Sequence, residues 1–195
     1  MNTVCSYVGL DLGQANDFTA MAVLTRPNVH CSPQWRFRQP SYTLGHLERF
    51  HMGTPYREIF AALRELLSKP PFYRAIVAVD KTGVGQAVAD LLRETVIGLP
   101  CLFCPATITM GLAAGDVAGV GFCIPKKELV SVMQVCLQNR RLQIPRVLPH
   151  ASLLVEELAK FKMKVKAPRA DQSLEDWREG PHDDLVFAVA LAAYY

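Results

Sequence analysis

Long hydrophobic runs are missing from this chain of 195 residues. No uninterrupted apolar stretch reaches the roughly 20 residues that a membrane-spanning helix needs, so no membrane partner is predicted. The first ten residues, MNTVCSYVGL, contain neither a cationic segment nor a long apolar core, which argues against a secretory signal peptide. We therefore expect a cytoplasmic protein.

Nucleotide-binding and nucleophile motifs are missing as well. No GxxxxGK[ST] phosphate loop occurs, and no GxGxxG follows a predicted strand, which excludes a P-loop motor and a dinucleotide-binding motif of the usual kind. No Ser or Cys lies in a recognisable nucleophile motif. The net charge of +3 is small, so any basic surface for nucleic acid must be local.

Cysteine is present, but not in a metal-binding pattern. Of the six cysteines, only Cys101 and Cys104 have a suggestive spacing. Their surroundings, LPCLFCP, indicate a strand, on which positions i and i+3 face opposite sides. No second CxxC or His pair follows, so we expect reduced thiols and no zinc site.

The composition that remains is that of a soluble globular protein. Half of the residues are hydrophobic and a fifth are charged. The length predicts a single domain with a substantial core over residues 1–195.

Two predicted strands end on an aspartate. Tyr7–Leu10 is a short apolar run that ends on Asp11, and turn residues separate it from a second β-rich run, which predicts a hairpin. RAIVAVD is apolar on both faces, which indicates a central strand, and it ends on Asp80 before a glycine turn and a helix. Ligands of open α/β sheets bind beyond such strand ends. The alternatives are an Asx-type turn at Asp11 and a helix N-cap at Asp80.

A third group of polar residues precedes the last helix. His182, Asp183 and Asp184 come directly before the apolar segment LVFAVALAAYY. The helix macrodipole favours an acid in the first turn, which accounts for one of the two aspartates. Two acids and a histidine are more than a cap requires, so these residues are candidates for a site.

Periodicity predicts the remaining elements. A helix runs from Thr54 and Pro55 to Lys69, another opens at Pro125, and a third spans His150 to Phe161. Leu99 to Cys104 is predicted as a strand and residues 35–46 as an edge or interrupted strand. Residues 107–122 are Gly/Ala-rich without a clear period and are predicted as a loop.

Basic residues after the third of these helices suggest a nucleic-acid contact. Lys160, Lys162, Lys164 and Lys166 alternate with apolar residues, so an extended segment would carry the lysines on one face. Arg169 extends this charge, and Lys81 directly follows Asp80. We interpret Lys81, Lys162, Lys164, Lys166 and Arg169 as phosphate contacts; the alternative for the lysine row is a solvated edge strand.

The aspartates would form one functional site if the fold brings them close together. If the two strands are neighbours, Asp11 and Asp80 meet at one edge of the sheet, and a helix that starts there adds Asp184. Clustered carboxylates cannot all stay ionised without a counter-charge, which divalent metals supply. Mg²⁺ leaves coordination positions for phosphate oxygens, and two such ions about 4 Å apart promote phosphodiester hydrolysis.

Four segments together resemble the nuclease domain of the phage terminase large subunit, within the RNase H-like, RuvC-related superfamily. They are GLDLGQANDFTAMAVL, AVDKTGVGQAVADLL, residues 125–145, and LVEELAKF followed by REGPHDDLVFAVALA, and they occur in the right order. The resemblance implies an α/β fold with a mixed central sheet flanked by helices. It also implies Mg²⁺- or Mn²⁺-dependent cleavage of double-stranded DNA with two ions. It assigns Asp11, Asp80 and Asp184 as ligands, Asp183 as a sharing or replacing ligand, and His182 as a residue that positions water or phosphate.

The resemblance is incomplete, because a whole terminase also has an ATPase motor. We expect a nuclease domain without that motor: an excised domain, a protein whose motor is a separate chain, or a free-standing relative with another nucleic-acid task. For a motor on a separate chain, the expected partners are a separate ATPase, portal or small terminase subunit, in the host cytoplasm if the protein is viral. A structure-selective, Holliday-junction type resolvase and a non-catalytic nucleic-acid-binding or assembly module with the same fold are the alternatives. An actin-like ATPase, suggested by GLDLGQAND, ranks below them because a second Asp-Gly phosphate loop is missing.

Overall fold

The fold is built on one mixed β-sheet. The computed structural model describes residues 4–13, 17–27, 41–70, 72, 74–110, 113–118, 121–165 and 183–195. The strands are β1 Val4–Asp11, β2 Ala20–Pro27, β3 Tyr42–Arg49, β4 Ile76–Asp80, β5 Leu102–Thr109, β6 Gly115–Val117, β7 Gly121–Pro125 and β8 Leu142–Gln143. The helices are α1 Tyr56–Leu67, α2 Gln86–Val96, α3 Lys126–Gln138, α4 Ala151–Val165 and α5 Asp184–Tyr194.

The strand order is β6-β7-β5-β4-β1-β2-β3-β8. The predicted hairpin is present, since β1 pairs antiparallel with β2, and β3 continues the meander. β4 lies parallel between β1 and β5, as its apolar faces indicated. The predicted α/β class with a mixed central sheet flanked by helices is therefore confirmed.

Helices cover both faces of the sheet. On one face, α1 and α2 pack on residues such as Val8, Leu10 and Val77. On the other face, α3, α4 and α5 pack on Tyr7, Ala22 and neighbouring side chains. α5 is buried nearly all round because almost every residue after its first is apolar, so it lies in the core against β1 and β2.

Gly9 allows α5 to approach β1 closely. A Cβ atom placed on Gly9 would overlap the carbonyl oxygen of Ala188 and lie 2.8 Å from the backbone nitrogen of Ala192. Both neighbours are backbone atoms, which cannot rotate away as a side chain can. The missing side chain therefore sets the distance between β1 and the helix that begins at Asp184.

We expect Gly9→Ala to lower the free energy of unfolding by about 1–3 kcal/mol, because the extra methyl group overpacks this contact. Gly45→Ala is the matched control, since a Cβ there meets the Thr25 and Phe72 side chains and the Val23 carbonyl oxygen at ordinary distances of 3.4–3.8 Å and is expected to be neutral or slightly stabilising. Urea denaturation followed by circular dichroism measures both variants. Equal stabilities for the two would contradict the close contact.

Two predicted segments are corrected by the structure. Residues 107–122 are not a loop, because β5 continues to Thr109 and β6 and β7 form a short antiparallel pair. Gly115 and Gly121 have positive φ values in this region, which hid the strands from a periodicity analysis. The prediction of an extended lysine segment is also wrong up to Val165, because α4 continues through Lys160, Lys162 and Lys164.

Smaller differences concern the ends of elements. Pro55 occupies the N-cap position of α1, and Thr54 lies one residue earlier, where its hydroxyl donates to the His51 carbonyl at 2.7 Å. β5 begins at Leu102 rather than Leu99. Of the predicted strand 35–46, residues 35–40 lie outside the described residues, and residues 42–46 belong to β3.

No helix within the described ranges is both long enough and apolar enough to cross a bilayer.

Candidate active site

One transverse row of the sheet carries the two strand-end acids. Asp80 of β4 pairs with Asp11 of β1, Asp11 pairs with Ala20 of β2, and Ala20 pairs with Arg49 of β3. Paired positions on neighbouring strands point to the same face, about 4.8 Å apart. The row therefore places Asp80, Asp11 and Arg49 on the face that α5 covers, with the small Ala20 between the acids and the arginine.

Asp11 lies in a strongly anionic environment. Burial raises the pKa of Asp11 well above its usual value, and the carboxylates of Asp80, Asp184 and Asp17 raise this pKa further. The Lys126 ammonium group opposes the shift. The strand register makes Asp11 and Asp80 direct neighbours, as predicted, whereas Asp184 is linked to Asp11 by its electrostatic effect on this pKa.

Asp80 is held in place by the turn that follows it. The Thr82 backbone N–H donates to Asp80 Oδ1 at 2.7 Å, and the Thr82 hydroxyl donates to the same oxygen. The Ile108 N–H donates to Thr82 Oγ1 at 2.7 Å, which ties the turn to β5. Burial raises the pKa of Asp80, while these hydrogen bonds and Lys126 moderate the rise. Gly85 occupies the N-cap position of α2, so Asp80 is not its cap.

Asp184 is the first residue of α5 and is paired with Arg49. Its side chain is nearly buried, and Arg49 Nη2 lies 2.9 Å from Asp184 Oδ2. Arg49 Nη1 lies 3.5 Å from Oε1 of Glu157, a residue of α4 that is 4% exposed. The guanidinium carbon lies 3.8 Å from the centre of the Phe18 ring. A buried cation therefore bridges two carboxylates beside the acid row.

Glu157 also supports the start of α5. The Val186 N–H, one of the unpaired donors of the first helical turn, donates to Glu157 Oε2 at 3.4 Å. Burial raises the pKa of Glu157 to about 7, against the lowering effect of Arg49, and Asp184 adds to the rise. Asp183 occupies the N-cap position without a side-chain capping bond.

Two lysines lie near the acids. Lys126, the first residue of α3, interacts electrostatically with Asp11 and Asp80, and its Nζ lies 4.6 Å from the centre of the Phe187 ring. Lys81 Nζ lies 3.4 Å from the position that a Cβ of Gly121 would take, so this side chain extends over the start of β7. Lys81 is thus on the β7 side of Asp80.

Other predicted site residues are not described by the structure. His182, Lys166 and Arg169 lie outside the described residues. The backbone of Lys162 and Lys164 belongs to α4, but their side chains are not among the described ones. Their assignment to the site stays a prediction.

Sequence reasoning missed four residues of this site: Arg49, Thr82, Lys126 and Glu157. Two of them left a signal. Arg49 ends a strand whose Leu44 and Leu47 are buried, and Glu157 falls on the apolar stripe of α4 between Leu154 and Phe161. A charged residue at a core position needs a partner, which is a usable signal.

The carboxylates fit a divalent cation in part. Asp11 and Asp80 are adjacent, partly buried and mutually repulsive, which is the setting in which a hard cation compensates charge. Asp184 is bound to Arg49. Within the described ranges, no three His, Cys, Asp or Glu side chains are already grouped tightly enough to hold a metal ion. The two strand acids therefore fit the ion as they stand, whereas Asp184 fits it only after leaving Arg49.

A cavity of about 340 Å³ opens beside the end of β1. Gly13, Asp17, Thr19, His51 and Tyr56 are among the residues that line it. The Tyr56 hydroxyl donates to the Gly13 carbonyl at 2.8 Å, and the Gly13 N–H donates to Thr19 Oγ1 at 3.0 Å. These bonds hold Gly13, two residues after Asp11, against Thr19 and Tyr56, so this part of the cavity wall is fixed.

Comparison with solved structures identifies the fold. The crystal structure of the large terminase nuclease from thermophilic phage G20c has a TM-score of 0.56 and 18% identity, over 97% of this chain and 81% of that one. The human cytomegalovirus terminase nuclease domain has a TM-score of 0.56 and 16% identity, over 98% and 84%. Its Mn-soaked form has a TM-score of 0.54 and 15% identity, over 96% and 83%. No protein-family model and no curated protein sequence matches the chain.

The chain therefore has the RNase H-like fold of viral terminase nuclease domains. The resemblance inferred from the four sequence segments is confirmed at the level of the fold. At these identities the fold, and not the activity, is what the comparison establishes.

Proposed function

We propose that this protein is a metal-dependent DNA endonuclease that hydrolyses phosphodiester bonds, similar in task to the terminase nucleases that share its fold. One observation carries the proposal: Asp11 and Asp80 are paired in register at the ends of adjacent parallel strands, with Asp184 electrostatically coupled to Asp11. Such a cluster costs folding free energy, because like charges are partly buried together. Functional sites are where costs of this kind are usually found.

Asp11, Asp80 and Asp184 would hold Mg²⁺ or Mn²⁺, with Asp183 as a sharing ligand and two ions in the complete site. Bound divalent ions supply charge compensation, an activated water and stabilisation of the leaving oxygen. Thr82 fixes the Asp80 carboxylate through two hydrogen bonds, so that its orientation is set before substrate arrives. Lys126 adds positive charge beside the acids, and we assign His182 the positioning of water or phosphate.

Double-stranded DNA is the proposed substrate, held largely by its phosphates. We assign these contacts to Lys81, Lys162, Lys164, Lys166 and Arg169. Phosphate contacts of this kind release counterions, so binding weakens as salt rises. Filter binding in increasing salt, with neutral substitutions at these positions, tests the assignment; an unchanged salt slope would contradict it.

A nuclease assay on supercoiled plasmid tests the proposed function. We expect nicked and linear products with Mn²⁺ or Mg²⁺ and none with EDTA, because the acids need the ions to act. Cleavage that persists in EDTA would contradict the metal-dependent mechanism. Linear duplex and four-way junction DNA belong in the same assay, since a strong preference for the junction would favour a resolvase. Absence of cleavage on all three substrates would favour a binding module.

A further inference from the structure

Arg49 is held between two buried carboxylates, but neither pairing is complete. It makes a 2.9 Å hydrogen bond to Asp184, while its distance to Glu157 Oε1 is 3.5 Å. Arg49 Nε and Glu157 Oε1 are both buried, and neither has a hydrogen-bond partner among the described residues. Leaving buried polar atoms of charged groups unpaired is costly.

A different arrangement of the same groups would satisfy them better. A guanidinium group prefers to bind one carboxylate through two parallel hydrogen bonds. If Arg49 moved from Asp184 to Glu157, its Nε could donate a hydrogen bond to Oε1 of Glu157. The guanidinium carbon lies 3.8 Å from the centre of the Phe18 ring, and this cation–π contact holds Arg49 beside both carboxylates.

Asp184 would be released by this shift. It is the acid that the proposed metal site lacks, since Asp11 and Asp80 are already adjacent while Asp184 is paired with Arg49. Arg49 also lies in the same transverse row as the two strand acids, two strands from Asp11. Its positive charge therefore stabilises the anionic site when no ion is bound and opposes the binding of one.

We propose that Arg49 is the resident counter-cation of the acid site: it holds Asp184 in the metal-free protein and moves to Glu157 when a divalent ion takes Asp184. Arg49 and Glu157 are then positioning residues that act through Asp184. This inference rests on the proposed function, because it requires that the acids bind a divalent ion. A purely structural ion pair would instead contribute the same stability with and without the ion.

Calorimetric titration of Mn²⁺ into the metal-free full chain separates these roles. Without Arg49 the ion no longer competes for Asp184, so Arg49→Met is expected to bind Mn²⁺ about tenfold more tightly than the wild type. Glu157→Gln removes the place to which Arg49 moves and is expected to bind about tenfold more weakly. Weaker or unchanged binding by Arg49→Met would overturn the proposal.

The double variant shows whether Glu157 acts through Arg49. If it does, Arg49→Met with Glu157→Gln binds Mn²⁺ as Arg49→Met alone does. Independent, additive effects of the two substitutions would mean that Glu157 acts by its own charge, which overturns the proposal. Melting temperatures in EDTA give a second readout: Arg49→Met is expected to melt lower than the wild type in EDTA and to gain more from Mn²⁺.

Crystal structures of the wild type with and without Mn²⁺ keep the test independent of the variants. We expect Arg49 on Asp184 without the ion and on Glu157 with it. An Arg49 that stays on Asp184 in the Mn²⁺ complex overturns the inference but leaves the proposed nuclease intact. A wild type that takes up no Mn²⁺ in the titration removes the proposed metal site, and the inference with it.

Discussion

Asp80→Asn is expected to lower Mn²⁺-dependent plasmid cleavage by about 10³-fold or more, a loss of about 4 kcal/mol of transition-state stabilisation. Asparagine keeps the shape of the side chain, and its amide oxygen still accepts the Thr82 N–H and hydroxyl bonds. What it lacks is the negative charge that offsets a bound cation. The expected loss is therefore chemical and not structural.

The rate of nicking of supercoiled plasmid measures this loss, with circular dichroism and thermal melting as checks on the fold. Asp90→Asn is the matched control, because Asp90 is an exposed residue of α2, the helix that follows the Asp80 turn. The control is expected to cleave at the wild-type rate. Wild-type activity in Asp80→Asn would exclude Asp80 from the catalytic site.

The strand acids could be predicted because the information is local. Tyr7–Leu10 and RAIVAVD are contiguous apolar runs, so their length and pattern alone indicate strands, and the polar residue that ends each run is visible in the sequence. The sequence around each acid does not show that Asp11 and Asp80 are direct neighbours. Predicting this required the resemblance to a known fold, and the register between β1 and β4 then established it.

The buried ion pairs could not be predicted, because their partners are far apart in the chain. Arg49 and Asp184 are 135 positions apart, and Arg49 meets Glu157 only because α4 packs next to the start of α5. Periodicity gives no information on such pairings. The β5–β7 region was missed for another reason: its glycines interrupt the alternation on which a strand prediction depends.

The lysine segment shows how an ambiguous pattern is decided by its neighbours. Alternating Lys and apolar residues over six or seven positions fit an extended strand, but Lys and Met also favour helices. The preceding turns of α4 were already formed by apolar residues at helical spacing, including Leu154, Leu158 and Phe161. Adding residues to an existing helix costs less than ending it, so the helix continues to Val165.

Substitution of a buried residue usually lowers the stability of the fold. For Asp11→Asn we expect the opposite: without metal, the variant is more stable than the wild type. Burial and three neighbouring carboxylates raise the pKa of Asp11 in the folded protein, whereas the unfolded chain keeps the ordinary value of about 3.9. Between these two pKa values the folded state binds more protons than the unfolded state. The wild type therefore loses stability as pH rises through this window, and the loss is complete above the raised pKa.

The neutral asparagine side chain of the variant does not titrate in this range, so the variant does not lose stability in this way as pH rises. The stability difference between Asp11→Asn and the wild type should be small at low pH, grow as pH rises, and level off at about 1–2 kcal/mol in favour of the variant. In a domain of this size each kcal/mol corresponds to about 2–4 °C in melting temperature. Asp116→Asn, at an exposed position of β6, is the control and should show no such pH-dependent gain.

Mn²⁺ should reverse this order of stabilities. An ion that binds only the folded wild type adds stability in proportion to the logarithm of its concentration over its dissociation constant, so the wild type gains where Asp11→Asn gains little. Thermal melting in EDTA and in a series of Mn²⁺ concentrations measures both effects on the same samples. A variant that melts below the wild type in EDTA would show that Asp11 is a structural acid with a satisfied charge. A crossover of the two melting temperatures as Mn²⁺ rises would instead assign the cost of burying Asp11 to the binding of a cation.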